Sequence, residues 1–215
     1  MMFKNREESG ILLADKLVNY SNKKDTVIVA IPRGGVPVGY QICTKLNLPL
    51  EIVLSKKIGH PFHKEYAIGA VNLKSRILSE AANGISINYI EEETKKIREL
   101  LKKRYNQYCK NRKPIDFKDK ILIIVDDGIA TGNTILSTIE MLSQEEPAKI
   151  IVAIPVAPLS SIKKLQNLDF INDIICLSTP INFQSVGQFY KNFKQVDDKE
   201  VESFLQKANS IKHSI

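Results

Sequence analysis

The chain has 215 residues, of which 43% are hydrophobic and 26% charged, as is ordinary for a globular protein with one well-buried core. Its three cysteines, Cys43, Cys109 and Cys176, have no CxxC spacing, which argues against a disulfide framework and a zinc site. No apolar signal core opens the chain, and no apolar run approaches the length of a membrane span. We therefore expect a cytoplasmic protein that does not bind a membrane.

The net charge of +7 is concentrated in one segment. The residues from Thr94 to Pro114 include nine lysines and arginines and a single acid, so this segment carries +8 and the rest of the chain −1. The basic charge therefore belongs to one predicted helix and not to the whole fold. We do not expect specific binding of nucleic acid.

Predicted strands and helices alternate along the chain. In order, they are a helix from Asn5 to Tyr20, a strand from Thr26 to Ile31, a helix from Val36 to Leu46, a strand from Glu51 to Ser55, a polar loop from Lys56 to Tyr66, short strands from Ala67 to Val71 and from Ser75 to Leu78, a helix from Ile87 to Asn111, a strand from Ile121 to Val125 with a helix to about Ser143, a strand from Lys149 to Pro155, a helix from Leu159 to Leu168, a strand from Asp173 to Leu177, an aromatic-rich loop from Pro180 to Phe193 and a helix from Asp198 to about Ala208. This alternation predicts an α/β fold, with a mostly parallel twisted sheet flanked by helices.

The segment from Ile121 to Thr134 is the most informative part of the chain. A buried strand ends in two acids, Asp126 and Asp127, and a glycine-threonine loop then opens a helix. The loop residues are Gly128, Ile129, Ala130, Thr131, Gly132, Asn133 and Thr134. Free N–H groups and the positive dipole end at a helix N-terminus suit a phosphate, whereas the acids suit sugar hydroxyls or a hard cation. The segment therefore predicts a sugar-phosphate site, and it lacks the lysine of a nucleotide P-loop.

A second glycine loop follows the strand from Thr26 to Ile31. Arg33, Gly34 and Gly35 lie where this strand ends and the next helix begins, so we expect them at the same edge of the sheet as the acid pair. Glycines can turn backbone N–H groups towards an anion, and an arginine adds a planar cation. The alternative is a tight turn with an arginine at the surface.

The string ILIIVDDGIATGNT resembles the phosphoribosyl pyrophosphate (PRPP) loop of type I phosphoribosyltransferases. Together with PRGGVPVG, KKIG and VGQFY, it extends the resemblance over nearly the whole chain, towards a bacterial subgroup with a helical insertion. The resemblance implies a single domain over residues 1–215, with the insertion at about 80–114 and a hood with a tail helix at about 180–209. One departure is Ala130, where enzymes that act on 6-oxopurines carry an aspartate.

The resemblance also implies roles for particular residues. The loop from Gly128 to Thr134 binds the 5-phosphate, and Asp126 and Asp127 are catalytic and hold Mg²⁺ directly or through water. Pyrophosphate is bound by Arg33, Gly34, Gly35 and one of the adjacent lysines, Lys56 and Lys57, between which the sequence does not choose. The nucleobase is stacked by one aromatic ring and read by backbone groups of the hood. The residues expected in those two roles are Phe183, Val186, Gly187 and Gln188.

The expected function is transfer of a phosphoribosyl group from PRPP to a nitrogenous base, with release of pyrophosphate, in purine or pyrimidine salvage. The alternative is a PRPP-sensing regulator that binds nucleic acid through the basic helix. The apolar face of that helix, with Ile90, Ile97, Leu101 and Tyr108, needs a partner. That partner is either the core of the same chain or a second subunit in a homodimer.

Overall fold

The computed structural model describes residues 1–110 and 112–211, in which helices and strands alternate along the chain. The helices are α1 (Arg6–Lys16), α2 (Gly35–Leu46), α3 (Ile87–Cys109), α4 (Asn133–Ser143), α5 (Leu159–Gln166) and α6 (Asp198–Ser210). The strands are β1 (Thr26–Ala30), β2 (Leu50–Ile52), β3 (Lys56–Gly59), β4 (Ala67–Val71), β5 (Arg76–Leu78), β6 (Ile121–Val125), β7 (Lys149–Val156) and β8 (Asp173–Ser178). Short 3₁₀ turns lie at Val18–Tyr20, Glu80–Ala82 and Val186–Phe189.

A five-stranded parallel sheet in the order β2–β1–β6–β7–β8 carries the fold. Neighbouring side chains on its central strands point to opposite faces. Ile28 and Ile123 therefore join one apolar cluster with α1, α2, α3 and α6, whereas Val29 and Ile124 join another with α4 and α5. The predicted fold class, a mostly parallel sheet with helices on both faces, is confirmed.

A second, antiparallel sheet in the order β3–β4–β5 lies outside the main one. Here the prediction of a polar loop from Lys56 to Tyr66 is wrong in part, because Lys56–Gly59 forms β3. Only Ile58 in this strand is buried, so its sequence has no apolar run, and pairing with β4 makes it a strand. The preceding strand, expected to reach Ser55, ends at Ile52.

The remaining predicted bounds differ from the structure mostly by a few residues. The first helix was expected to reach Tyr20 but ends at Lys16, and a 3₁₀ turn follows. Asn5 caps this helix by accepting a hydrogen bond from the Glu8 amide. The long helix ends at Cys109, and its predicted last residue, Asn111, lies outside the described residues.

The apolar face of α3 packs against the same chain. Ile90, Ile97, Leu101 and Tyr108 are buried in the cluster that contains β3, β4 and α6 side chains. This face therefore gives no argument for a homodimer. In the described part of the chain, no helix is both long and apolar enough to cross a membrane.

A buried carboxylate on β2 fixes the end of the long helix to the main sheet. The Glu51 side chain is 1% exposed and accepts hydrogen bonds from the Tyr105 hydroxyl and from the amides of Ile52 and Ile115. Arg112 lies 2.9 Å from Glu51 Oε1 and supplies the opposite charge. Buried carboxylates of this kind are stable only when their hydrogen bonds and charge are satisfied.

Candidate active site

The two predicted glycine loops leave neighbouring strands at the same edge of the main sheet. β1 and β6 are paired in parallel, with Ala30 opposite Val125, so the Arg33 loop and the acid pair begin side by side. A Cβ atom on Gly34 would overlap the Asp127 carboxylate, and one on Gly35 would lie 2.6 Å from the Val125 carbonyl oxygen. Close approach of the backbone therefore requires glycine at position 35, whereas a side chain at position 34 would displace the Asp127 carboxylate. The peptide bond between Pro32 and Arg33 is cis.

The loop after the acid pair opens α4 around a small cavity of about 150 Å³. Gly132 is the N-cap of α4, with φ of 82°, a left-handed conformation that glycine adopts without strain. No side chain among the described residues caps this helix, so its first N–H groups and positive dipole end are available to an anion. The cavity is lined by Asp126, Gly128, Ile129, Ala130, Thr131, Gly132, Thr134 and Ile135.

Contacts from outside hold this loop in place. The Ser161 hydroxyl donates to the Ala130 carbonyl at 2.7 Å, and the Ile129 amide donates to the Val156 carbonyl at 2.9 Å. Val186 packs so closely on Gly128 that a Cβ atom there would lie 2.6 Å from a Val186 methyl. The conformation of this loop is therefore supported by β7, α5 and the chain's last third.

Both carboxyls of the acid pair have raised pKa values. Burial, and then the neighbouring Asp127 charge, raise the pKa of Asp126 well above its ordinary value. Burial also raises the pKa of Asp127, but Arg6 opposes this shift because Arg6 Nε lies 2.7 Å from Asp127 Oδ2. The pair therefore takes up a proton more readily than ordinary carboxyls do, and Arg6 favours the charged form of Asp127.

Residues near the N-terminus and residues after the last 3₁₀ turn meet around Asp127. The Tyr190 hydroxyl donates to the Asp127 carbonyl at 2.6 Å, and the Tyr190 ring lies against Phe3 and Phe193. The guanidinium of Arg6 lies 3.9 Å from the centre of the Phe193 ring and also donates to the Lys194 carbonyl. Asp127 is thus fixed through both its carboxylate and its backbone.

The side chain of Arg33 turns towards α6 in this structure. Its Nη1 lies 3.4 Å from Asp198 Oδ1, which also accepts a hydrogen bond of 2.6 Å from Tyr108. The Tyr108 hydrogen bond is the main reason that the pKa of Asp198 is lowered. Arg33 and Asp198 are 41% and 35% exposed, and exposed pairs contribute only about 0–1 kcal/mol. Little energy therefore opposes rotation of Arg33 towards a bound anion.

Lys56 and Lys57 are both exposed and open β3 in the second sheet instead of closing β2. Lys56 lies in one cross-strand row with Val71 and Arg76, and Lys57 in the next row with Ala70 and Ile77. Side chains of successive rows point to opposite faces. The two lysines therefore have different surroundings, which their adjacency in the sequence does not reveal.

The four residues predicted to bind the base lie around the last 3₁₀ turn. Phe183 is half-buried and stacks on Phe189 with ring centres 5.5 Å apart. A Cβ atom on Gly187 would lie 2.9 Å from the Phe193 ring. The Gln188 side chain is engaged within the turn, where it accepts from the Gln184 and Ser185 amides. The Val186 contact with Gly128, described above, joins this turn to the loop from Gly128 to Thr134.

A family model described as the phosphoribosyl transferase domain matches residues 4–188. This chain belongs to that family. Two Mycobacterium tuberculosis proteins, from strains CDC 1551 and H37Rv and provisionally named as phosphoribosyl transferases, are each 32% identical to it over 212 residues. These matches cover 97% of this chain but 47% of each relative, so the chain spans about half of their length. The crystal structure of TT1426 from Thermus thermophilus is 32% identical, with a TM-score of 0.83 over 96% of this chain and 99% of the other.

The contact between Arg6 and Asp127 was not predicted from the sequence. Arg6 lies in a charged helix start, Asn-Arg-Glu-Glu, that has no local feature to separate it from a solvated surface. Its partner, Asp127, is 121 positions away. Tyr190 and Phe193 lie in a segment predicted to be aromatic and packed, but their contacts with Asp127 and Arg6 follow only from the fold.

Proposed function

We propose that this chain transfers the 5-phosphoribosyl group of PRPP to a nitrogenous base and releases pyrophosphate. A ring nitrogen of the base would attack the anomeric carbon, and the bond to the pyrophosphate oxygen would break with its electrons leaving on pyrophosphate. Positive charge develops on the ribose in such a step. The reaction would serve salvage of a purine or pyrimidine base.

One arrangement carries the proposal: the acid pair lies between the uncapped N-terminus of α4 and the two glycines of the Arg33 loop, at adjacent strand ends. The loop from Gly128 to Thr134 would hold the 5-phosphate through N–H groups and hydroxyls. Asp126 and Asp127 would then accept hydrogen bonds from ribose hydroxyls, and their charge would favour a cationic ring. Arg6 would act as a positioning residue for Asp127.

Pyrophosphate would lie on the other side of the acid pair, against the backbone of Gly34 and Gly35 and the guanidinium of Arg33. Lys57 is the better candidate of the two lysines. It lies in the cross-strand row of Ala70 and Ile77, on the face opposite to that of Lys56. Lys56 lies on the face of Arg76, which contacts Thr94 on α3. Lys57 therefore projects away from α3.

Magnesium fits this donor set. Among the described residues, no group of three or more His, Cys, Asp or Glu side chains could hold a metal by itself. Mg²⁺, however, commonly takes only one or two carboxylates and completes its shell with water and substrate phosphates. Asp126 and Asp127 would hold the ion directly or through water. When bound, it would neutralise charge on the departing pyrophosphate.

The test is release of pyrophosphate from PRPP and Mg²⁺ with a panel of bases: adenine, guanine, hypoxanthine, xanthine, uracil and orotate. We expect turnover with at least one base and a loss of at least a hundredfold in Asp126→Asn/Asp127→Asn. Each lost charged contact contributes about 1.5–3 kcal/mol, and about 1.4 kcal/mol is tenfold in rate. Asp169→Asn, at an exposed acid outside the site, is the matched control.

Binding is tested separately from turnover by the melting temperature in ribose 5-phosphate. A ligand at about 100 times its dissociation constant stabilises the native state by about 2.7 kcal/mol. Thr131→Val/Thr134→Val, which keeps the side-chain shape at two exposed hydroxyls, should remove most of this shift, whereas Thr44→Val on α2 should not. No turnover with any base, together with tight RNA binding that is lost on charge reversal of Lys95, Lys102 and Lys103, would favour the regulator.

A further inference from the structure

A large groove lies between the basic face of α3 and the second sheet. Its volume is about 720 Å³, and it shares no lining residue with the cavity beside the phosphate loop. Four cations and two acids contribute to its walls: Arg76, Lys95, Arg98, Lys102, Glu91 and Glu99. The groove is thus a separate site with an excess of positive charge.

The four cations have no carboxylate partner in the described residues, where the ion pairs involve other side chains. Solvated surface cations near acids commonly pair with them, and here Glu91 and Glu99 are close enough to line the same groove. The positive charge is therefore left available to a ligand.

Both arginines are held in position by uncharged acceptors. Arg98 Nη2 donates to the Lys74 carbonyl at 2.9 Å, and Arg76 Nη1 donates to Thr94 Oγ1 at 3.2 Å. Arg98 Nε is buried and has no hydrogen-bond partner among the described residues. A buried donor without a protein partner is costly, and an acceptor on a ligand or on water would remove this cost.

The spacing of the cations favours an extended anion. Lys95, Arg98 and Lys102 are at positions i, i+3 and i+7 of α3, so they form a row about 10 Å long on one face of the helix. Arg76 faces this row from β5. Guanidinium groups bind phosphate oxygens in pairs, whereas lysines bind them as point charges. A row of this length matches two or three linked phosphates better than one.

We propose that this groove binds a polyphosphorylated small molecule, at a site separate from the transferase site. The groove volume lies within the range of about 300–1,000 Å³ for small-molecule sites. Leu73 provides an apolar surface for the uncharged part of the ligand. A long nucleic acid is disfavoured because Glu91 and Glu99 interrupt the positive face and no aromatic residue lines the groove for base stacking.

The test is titration calorimetry of the whole chain with ATP and with inorganic tripolyphosphate, at physiological salt and with saturating ribose 5-phosphate. Saturation keeps the loop from Gly128 to Thr134 occupied, and the comparison of Lys102→Gln with the parent separates binding in the groove from binding at the Arg33 loop. We expect binding of both probes, weakened about tenfold in Lys102→Gln, because one charged contact is lost. Lys103→Gln is the matched control, since Lys103 is exposed on the same helix but does not line the groove.

Four outcomes would overturn the proposal. Three are no measurable binding of either probe, equal weakening in Lys102→Gln and Lys103→Gln, and probe binding that is seen only when ribose 5-phosphate is left out. A fourth is tighter binding of a single-stranded RNA dodecamer than of ATP, lost in Lys102→Gln, which would assign the groove to nucleic acid. Both variants change exposed side chains, so circular dichroism and melting temperature should remain those of the parent protein.

Discussion

Replacement of Arg6 by methionine tests whether Asp127 is held by a buried charge. Methionine keeps an apolar stem against Phe193 but removes the guanidinium that lies 2.7 Å from Asp127 Oδ2. The two side chains are 11% and 15% exposed, so the pair resembles buried pairs more than surface ones. Removal of one partner from a buried pair costs about 3–5 kcal/mol, and partial exposure places this case near the lower end, at about 3 kcal/mol.

The predicted loss is large enough to measure by denaturation. For a chain of this size, 1 kcal/mol corresponds to about 2–4 °C in melting temperature, so Arg6→Met should melt about 6–12 °C lower than the parent at pH 8. Lys24→Met, at an exposed lysine of the α1–β1 connection, is the matched control and should change the melting temperature very little. Arg6→Met should also lower turnover, because Asp127 loses its orientation.

The pH dependence separates loss of charge from loss of packing. Without Arg6, the pKa of Asp127 should rise further, because the largest effect that opposes burial is removed. A carboxyl with a raised folded-state pKa binds more protons in the folded state, so its charge lowers stability progressively as the pH rises. The loss in Arg6→Met should therefore be smaller at pH 5 than at pH 8.

A double-mutant cycle with Asp127→Asn tests directly whether Arg6 stabilises the fold through Asp127. In the Asp127→Asn background, Arg6→Met should cost only about 1 kcal/mol, from the lost hydrogen bond to the Lys194 carbonyl and the contact with Phe193. An equal loss in both backgrounds, or a loss at pH 8 that is no larger than at pH 5, would mean that the pair does not hold Asp127.

Three further predictions follow from the same structure. Asp126→Asn should be inactive, yet more stable than the parent at pH 8 and equally stable in acid, because burial and Asp127 raise the pKa of Asp126. Urea denaturation at pH 8 and in acid checks this, and lower stability of the variant at pH 8 would contradict it. Lys57→Gln should raise the KM for PRPP about tenfold while Lys56→Gln changes it less than about twofold, and the reverse order in steady-state kinetics would reassign the role. Glu51→Gln should lower the free energy of unfolding, measured in urea, by about 3 kcal/mol with little change in KM, because Arg112 loses the charge of its buried partner. A loss below about 1 kcal/mol would show that water solvates Arg112 in place of the lost carboxylate.

The sequence by itself determined the strands, the helices and the two loops that follow β1 and β6. These are local features: a buried strand of five apolar residues, two acids and a glycine-threonine loop are contiguous, so chain geometry alone keeps them together. The α/β class followed from alternation of such segments. The segment Lys56–Gly59 was not recognised as a strand, because it has no apolar run of its own and becomes a strand by pairing with β4.

The tertiary structure decided which side chains meet at these loops. Arg6 reaches Asp127 and Arg33 reaches Asp198 across 121 and 165 positions, and no periodicity encodes such pairs. The same holds for the two lysines of β3, which are adjacent in the chain but project to opposite faces of the second sheet. Local sequence fixes backbone conformation, whereas the packing of helices and strands sets the long-range partners. This is because burial of apolar surface stabilises one arrangement of the whole chain and does not act on each contact separately.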